Sequence, residues 1–324
     1  MKLSVLILAY NHEKFITQAL DSVLMQQVDF DYEIVIGEDY SKDNTRDILI
    51  GYQQEHPEKI RLLLPEKNLG MHDNFIQTFK ACRGKYIALL EGDDYWTSPY
   101  KLQKQVDFLD THTDYTICFH NALYLYQDGS TRCFLPPDNW KNTFTLEDIL
   151  SSNIMSFASI VFRQGFIQEF PDWMYDINFV DWILQILLAQ HGNIGYINET
   201  MNVYRIHPNG NWSWRTQIEM RLEILKAYHY IENYLDSKYQ NKIRIVMSEN
   251  YKLLCIDYMQ NDDRKNARKF LNKFLLQDFL NNLMLSDLSL KTSFLMNIYL
   301  PALYKILKKV KYTFISKVVS EKII

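Results

Sequence analysis

The chain has 324 residues, of which 47% are hydrophobic and 23% charged, a globular balance that excludes disorder throughout and leaves material for one large domain or two ordinary ones. With 35 Lys and Arg against 39 Asp and Glu the net charge is -4, so no global basic field exists to recruit nucleic acid. Cys82, Cys118, Cys133 and Cys255 stand far apart with no Cys-x-x-Cys pair, which disfavours a zinc ribbon and a disulfide framework alike and fits a reducing compartment.

The apolar run Leu3 to Ala9 is too brief for a signal-peptide core or a membrane span, so the chain is expected to start folding at once, in the cytoplasm. Leu3 to Leu8 reads as a strand, and His12 to Gln27 as a helix with Phe15, Ile16, Ala19, Leu20, Val23 and Leu24 on one face. Strand and helix then alternate: Tyr32 to Gly37, Thr45 to Glu55, Ile60 to Leu64, Asp73 to Cys82 and Tyr86 to Leu90. This predicts a mostly parallel sheet flanked by helices, an α/β class. Pro99 sits where a first helical turn tolerates it, ahead of Leu102, Val106 and Leu109 on one side of a further helix.

From Tyr115 the texture changes. Tyr115 to Tyr126 is a long strand pattern, followed by loop-like Asp128-Gly129 and Pro136-Pro137-Asp138-Asn139. Ser159 to Phe162 and Tyr196 to Ile206 are strand candidates around a helix, Asp181 to Gln190, that ends at His191-Gly192. Beyond Asn211 the pattern is helical, with Ile218 to Tyr234, Ile243 to Met259 and Lys265 to Leu276 as amphipathic segments. The expected division is 1–110, 111–215 and a helical region over 216–324.

In an open parallel sheet ligands bind beyond the carboxyl ends of the strands, and polar residues should collect there. They follow three of the first four strands: Tyr10-Asn11, then Glu38-Asp39 with Ser41 and Asp43, then Glu91-Gly92-Asp93-Asp94. Two carboxylates about 4 Å apart repel by roughly 4 kcal/mol at an effective dielectric near 20. A divalent cation that also grips a diphosphate offsets this, since Mg²⁺ or Mn²⁺ takes one or two carboxylates and completes its shell with phosphate oxygens and water. No Walker loop or Gly-x-Gly-x-x-Gly turn is present to cradle phosphate by backbone amides instead.

Three segments resemble family 2 glycosyltransferases of the GT-A fold: Ser4-Val5-Leu6-Ile7-Leu8-Ala9-Tyr10-Asn11, Glu38-Asp39-Tyr40-Ser41-Lys42-Asp43-Asn44-Thr45, and Tyr86 through Asp94 followed by Trp96. Order, spacing and strand context match over residues 1 to about 213, with Glu38, Tyr40, Leu8, Ala9 and Glu91 departing from the commoner family residues. The resemblance implies a Rossmann-like GT-A domain with a nucleotide-sugar-binding half over 1–110, an acceptor-binding half over 111–215 and a C-terminal helical extension. It implies that Tyr10 stacks on the nucleotide base, that Asp39 binds the base, and that Glu91, Asp93 and Asp94 form the Asp-x-Asp region contacting ribose and metal. Ala9, Asn11, Glu38, Asn68 and Arg205 complete the implied nucleotide-sugar site, and Asp93, Asp94 and His207 the implied Mn²⁺ or Mg²⁺ site.

The family places its general base in acidic residues opening a late helix, which here reads Phe179-Val180-Asp181-Trp182 and selects Asp181, with Asp176 and Asp172 as competitors. Val203-Tyr204-Arg205-Ile206-His207, followed by Asn209 and Ser213, resembles the family's late Tyr-Arg-x-His segment. The seven other histidines show no metal-ligand spacing and read as structural or exposed. Trp96, Trp212 and Trp214 are the tryptophans expected near the cleft. At the C-terminus, Lys305, Lys308, Lys309, Lys311 and Lys317 alternate with apolar residues, which leaves open either peripheral contact with the inner face of the cell membrane or a helix packed on its own domain with a solvated lysine face.

The resemblance thus implies an inverting enzyme that moves one hexosyl or N-acetylhexosaminyl unit from a nucleoside diphosphate sugar, UDP-linked, to a hydroxyl of a glycan or lipid-linked acceptor in cell-surface polysaccharide synthesis. The Gln-x-x-Arg-Trp segment and membrane spans of polymerising synthases are not found, which favours transfer of one sugar. The competing readings are a nucleotidyltransferase, whose Gly-rich basic N-terminal loop is missing, and an inactive sugar-nucleotide-binding scaffold on the same fold.

Overall fold

The computed structural model describes residues 1–133, 140–208, 210, 212, 215–281 and 288–300. Trp214, Asn209, Ser213, the middle of the loop from Asp128 to Thr143 and the basic stretch 301–324 lie outside the described residues. The chain forms two compact units, Met1–Trp214 and Arg215–Ile324.

The first unit runs β1 (Leu3–Ala9), α1 (Ile16–Leu24), β2 (Tyr32–Glu38), α2 (Thr45–Glu55), β3 (Ile60–Leu63), α3 (Met71–Ala81) and β4 (Tyr86–Glu91). It continues with β5 (Tyr95–Trp96), α4 (Lys101–Thr111), β6 (Tyr115–Tyr126), β7 (Thr131–Cys133), β8 (Thr143–Phe144), α5 (Leu146–Ser151), β9 (Val161–Arg163), α6 (Asp181–Ala189) and β10 (Asn193–Ile206). The sheet order is β3-β2-β1-β4-β9-β6-β10-β5, with β7 on β6 and β8 on β10. Strands β3, β2, β1 and β4 are parallel and covered on both faces, which is why β1 and β2 read as unbroken apolar runs rather than alternating ones. Leu3, Val5, Ile7, Ile34 and Ile36 are wholly buried among Ala19, Leu20 and Val23 of α1, and each such side chain contributes about 1.5–3 kcal/mol.

Among the described residues β5, β7, β8 and β9 run antiparallel to a neighbour. Strand β9 lies antiparallel between β4 and β6, pairing Ile87 with Phe162 on one side and Ile117 with Phe162 on the other. Arg163 at its end donates to the carbonyls of Tyr115 and His112, at 2.7 and 3.0 Å, and so ties the two halves of the sheet. Gly37 is needed where α3 presses on β2, because a Cβ there would stand 2.0 Å from Thr78 Oγ1.

The first helix is shorter than its apolar pattern. Helix α1 starts at Ile16, not His12, because the intervening residues serve the loop: Asn11 is left-handed (φ 58), His12 N–H donates to Thr45 Oγ1 at 2.8 Å, and Glu13 N–H to Asp43 Oδ2 at 3.1 Å. At the opposite ends of the strands from that loop, the buried Glu33 carboxylate accepts from Ser4 Oγ (2.8 Å), Arg83 N–H (2.9 Å), Arg83 Nη2 (2.7 Å) and Arg61 Nη1 (3.1 Å).

The second unit contains α7 (Gln217–Tyr234), α8 (Gln240–Gln260), α9 (Arg264–Leu280) and α10 (Leu288–Tyr299). Thr216 and Glu219 form a reciprocal capping box at the start of α7, as Ser/Thr-x-x-Glu does. Helices α8 and α9 pack through Phe270, which stacks on Tyr251 and Tyr258, and a buried Lys291–Asp278 ion pair at 2.6 Å ties α10 to α9. No helix among the described residues is long and apolar enough to cross a membrane.

Candidate active site

Register places the polar strand ends along one rim. Ala9 pairs with Glu38 and Leu8 with Glu91, so β1, β2 and β4 end level, and the residues that follow emerge on the same edge of the sheet. Asp39 N–H donates to Ala9 C=O at 2.9 Å and Gly92 N–H to Leu8 C=O at 2.8 Å, continuing the ladders into the loops. Ala9 itself is buried and contributes backbone to this rim, while Tyr10 is 39% exposed and presents its ring. Asn11 ties two turns together: its N–H donates to Ser41 Oγ at 2.9 Å and its Oδ1 accepts from Lys42 N–H at 2.8 Å.

The adjacent acids Glu38 and Asp39 are placed differently. Glu38, expected at the donor, is turned into its own loop, where it accepts from Ser41 N–H at 2.6 Å and pairs with Arg46. Asp39 holds the next loop: Oδ1 accepts from Leu69 N–H at 2.6 Å, and Oδ2 from Gly70 N–H and Asn68 Nδ2, both at 3.0 Å. Oδ1 keeps a second lone pair for an N–H of a ligand. Burial raises the Asp39 carboxyl despite the Leu69 and Gly70 amides that oppose it. Asn68 also donates to Asp39 C=O at 2.7 Å, so it sits at the rim as a support for Asp39.

The acidic loop after β4 is gathered by residues from far along the chain. Arg205 N–H donates to Asp94 Oδ1 at 2.8 Å, and the Arg205 guanidinium donates to Asp93 C=O and Gln18 Oε1 between the rings of Phe15 (5.0 Å) and Tyr95 (4.5 Å). Arg205, expected among donor-binding residues, is thus built into the rim as a clamp on the loop. His207 Nε2 lies 3.0 Å from Asp93 Oδ2, with its ring against Phe15.

His12, read from sequence as structural or exposed, belongs to this site. Its Nε2 is 3.7 Å from Asp93 Oδ2, and its buried Nδ1 has no partner among the described residues. Burial lowers its pKa more than Asp93 raises it, which keeps the imidazole toward its neutral form. The strand-to-loop position of Tyr10-Asn11 could have signalled it, since the next residue must lie beside the same rim. Gly92 is what admits it: a Cβ there would stand 2.7 Å from His12 Nδ1 and 2.9 Å from Ile16 Cδ1. Gly92→Ala should therefore destabilise the fold by about 1–3 kcal/mol and weaken donor binding, measured by thermal unfolding and by titration with UDP.

Burial dominates the electrostatics of this loop. It raises the Glu91 carboxyl well above the ordinary range, with Asp93 and then Asp181 adding to the effect. Asp94 is raised by burial and by Asp93 and Glu91 against the opposing Arg205. Burial also works upward on Asp93, but His12 and His207 outweigh it and hold Asp93 below the ordinary value. Asp181 opens α6 from across the sheet, accepts from Asn153 Nδ2 at 2.9 Å and is raised by burial. Its competitors Asp172 and Asp176 are exposed.

The donor set suits a hard cation. Asp94 Oδ2 is buried with no partner among the described residues, beside two further carboxylates. No group of three or more such side chains among the described residues is arranged to hold a metal by itself. An ion here would take one or two carboxylates, from Asp93 and Asp94, and draw the rest of its shell from a diphosphate and water. His207 could join only by giving up its contact with Asp93. Of the tryptophans, Trp96 is a core residue rather than a cleft residue: it is 1% exposed and donates to Ala158 C=O at 2.9 Å, because β5 folds it under Lys101. Trp212 packs edge-on to Phe179, two residues before Asp181.

The family model described as Glycosyl transferase family 2 matches residues 4–167, and the chain belongs to that family. An uncharacterized protein of Mycobacterium tuberculosis is 38% identical over 210 residues, covering 65% of this chain, and the chain spans 60% of that relative's length. The putative teichuronic acid biosynthesis glycosyltransferase TuaG of Bacillus subtilis is 28% identical over 242 residues, which are 69% of this chain and 90% of TuaG. Among solved structures, S. aureus TarS 1-349 in complex with UDP-GlcNAc matches with a TM-score of 0.56 at 17% identity, over 83% of this chain and 90% of that one. Mannosyltransferase PcManGT from Pyrobaculum calidifontis, in complex with GDP-Man and Mn²⁺, matches with a TM-score of 0.58 at 14% identity, over 98% and 86%. At these identities the structural likeness establishes the GT-A fold.

Proposed function

We propose that the protein is an inverting, non-processive glycosyltransferase that moves one sugar from a UDP-linked donor to a hydroxyl of a glycan or lipid-linked acceptor in cell-surface polysaccharide synthesis. The observation that carries this reading is the meeting, at one rim, of the Asp93–Asp94 loop, the Asp39 loop and the carboxylate of Asp181. TuaG by its name, and TarS and PcManGT by their bound sugar nucleotides, point the same way.

In this reading the nucleotide base lies against Tyr10 with an N–H toward Asp39 Oδ1, and the diphosphate reaches the loop after β4. Asp93 and Asp94 would hold a divalent cation, which would supply charge neutralisation for the departing diphosphate. Arg205 and His207 keep those two carboxylates in place, the first through backbone and main-chain contacts and the second through Asp93 Oδ2. Asp181 takes the proton of the acceptor hydroxyl as it attacks the anomeric carbon, and single displacement inverts the configuration. Burial suits it to the task, since a carboxylate lifted above its ordinary value is a stronger base.

The test is incubation with Mn²⁺ and a panel of sugar nucleotides. Release of UDP supports sugar transfer, whereas pyrophosphate would point to nucleotidyl transfer and binding without turnover to a scaffold. EDTA should lower UDP release about 100-fold or more and Mn²⁺ should restore it, because charge stabilisation by the cation is worth several kcal/mol. Donor affinity and turnover untouched by EDTA would defeat the metal assignment.

A further inference from the structure

Helix α9 is apolar on two opposite faces over its C-terminal half, and a helix of that kind is ordinarily covered on both. Ala267, Phe270, Leu271 and Phe274, at three-and-four spacing, are buried. The opposite stripe runs Lys265, Lys269, Asn272, Leu276 and Phe279, again at three-and-four spacing, and every one of its members is exposed. Leu276 and Phe279, at 59% and 64% exposure, are with Leu300 the three most exposed large apolar side chains among the described residues.

Helix α10 extends this surface. Phe294 and Ile298 are buried, while Leu295 and Tyr299 are exposed. Tyr299 Oη donates to Asn272 Oδ1 at 3.0 Å, and Arg268 Nη2 donates to Ile298 C=O at 3.2 Å with its guanidinium 5.2 Å from the Tyr299 ring. The exposed stripe of α10 therefore adjoins that of α9 at Asn272. Together they form one surface, cationic toward the start of α9 and apolar toward its end.

The charge on this surface has one sign. Helix α9 carries Arg264, Lys265, Arg268, Lys269 and Lys273, and its one acid, Asp278, is buried in the ion pair with Lys291. Helix α10 has no acid in its sequence. Ahead of α9, Asp263 is occupied as the cap that accepts from Asn266 N–H, and Asp262 lies 3.5 Å from Arg264 Nε.

That charge chooses among the occupants. A second copy of the same face would bring lysines against lysines. The stretch 301–324, with six lysines and one glutamate, would add like charge to the face it covered. A layer of anionic headgroups above acyl chains matches both ends of the surface: phosphates take the lysines, the apolar layer takes Leu276 and Phe279, and the Tyr299 phenol suits the boundary between them.

We propose that the outward face of α9 and α10 docks the protein on an anionic lipid bilayer, with Lys265 and Lys269 at headgroup phosphates and Leu276, Phe279 and Leu295 at the edge of the acyl chains. The experiment is flotation of the full chain with vesicles of phosphatidylglycerol and phosphatidylcholine in equal parts, beside vesicles of phosphatidylcholine alone. The chain should float with the anionic vesicles and far less with the neutral ones, and added salt should weaken the binding. Lys265→Glu/Lys269→Glu should lower the partition coefficient about 100-fold or more, and Leu276→Gln/Phe279→Gln about tenfold or more. All four side chains are exposed, so both variants should melt at close to the native temperature. A third variant, Lys305→Gln/Lys308→Gln/Lys309→Gln/Lys311→Gln, separates the terminal stretch from the face, and binding should survive it.

No flotation with the anionic vesicles overturns the proposal, as does full-strength flotation in both α9 variants. Loss of binding in the terminal variant alone also overturns it, because the contact then belongs to the stretch after Leu300. So does a native chain that dimerises without floating and becomes monomeric in Leu276→Gln/Phe279→Gln, which would make the face a contact between copies. UDP release in solution tests the glycosyl-transfer reading separately, since none of these residues belongs to the rim.

Discussion

Asp181→Asn should lower sugar transfer by roughly 10²- to 10⁴-fold while leaving donor affinity and thermal stability nearly unchanged. The amide keeps the shape of the side chain and can still accept from Asn153, and the N-cap of α6 is Val180 rather than Asp181, so the helix loses little. What it loses is the capacity to take a proton. Burial raises the native Asp181 carboxyl, with the Trp182 amide and Asn153 opposing it. A base works only when ionised, so the native rate should fall as pH drops through a value raised from the ordinary aspartate one, and that limb should vanish in the variant. Single-turnover rates across pH, with UDP titrations alongside, check both statements. A variant with unchanged turnover would remove Asp181 from the chemistry.

Glu33→Ala should cost about 3 kcal/mol and lower the melting temperature by roughly 10 °C, because it strands buried donors and leaves arginine side chains without a partner. The donors involved are Ser4 Oγ, Arg83 N–H and the guanidinium groups of Arg83 and Arg61. Burial works to raise Glu33, but Arg83, Ser4 and Arg61 outweigh it and the folded value is depressed. For a depressed carboxyl, the stabilisation is full above its unfolded value of about 4.3 and is lost as pH falls through the lower folded value. The gap between native and variant protein should therefore be widest near neutral pH and shrink below about pH 4, as denaturant melts at several pH values would reveal. Glu33 lies away from the rim, so donor binding at neutral pH should survive in the folded fraction.

Long elements were legible in the sequence because periodicity is a local signal. Thr45–Glu55 and Tyr115–Tyr126 run as their patterns predict, and the level ends of β1, β2 and β4 follow from a parallel sheet. Short elements were not: Tyr95–Trp96, Thr143–Phe144 and the helix Leu146–Ser151 are too brief to display a period. The antiparallel direction of β9 depends on partners more than 40 residues away in sequence. At the site, the motifs pointed to the carboxylates, but no local rule says that Glu38 turns to Arg46 while Asp39 turns to the loop at 68–70. His12 escaped because a search for metal-ligand spacing looks along the chain, whereas His12 and His207 flank Asp93 from positions 195 residues apart.

The clamp made by Arg205 gives the domain an order of assembly. The loop carrying Asp93 and Asp94 is fastened by a residue 112 positions later than the carbonyl it grips. A nascent chain still lacking β10 already holds Tyr10, Asp39 and both aspartates, but it lacks Arg205 and His207, which fasten the loop of Asp93 and Asp94. That loop is therefore clamped only once β10 inserts, and a polypeptide stopped short of Arg205 would carry both carboxylates on an unclamped turn.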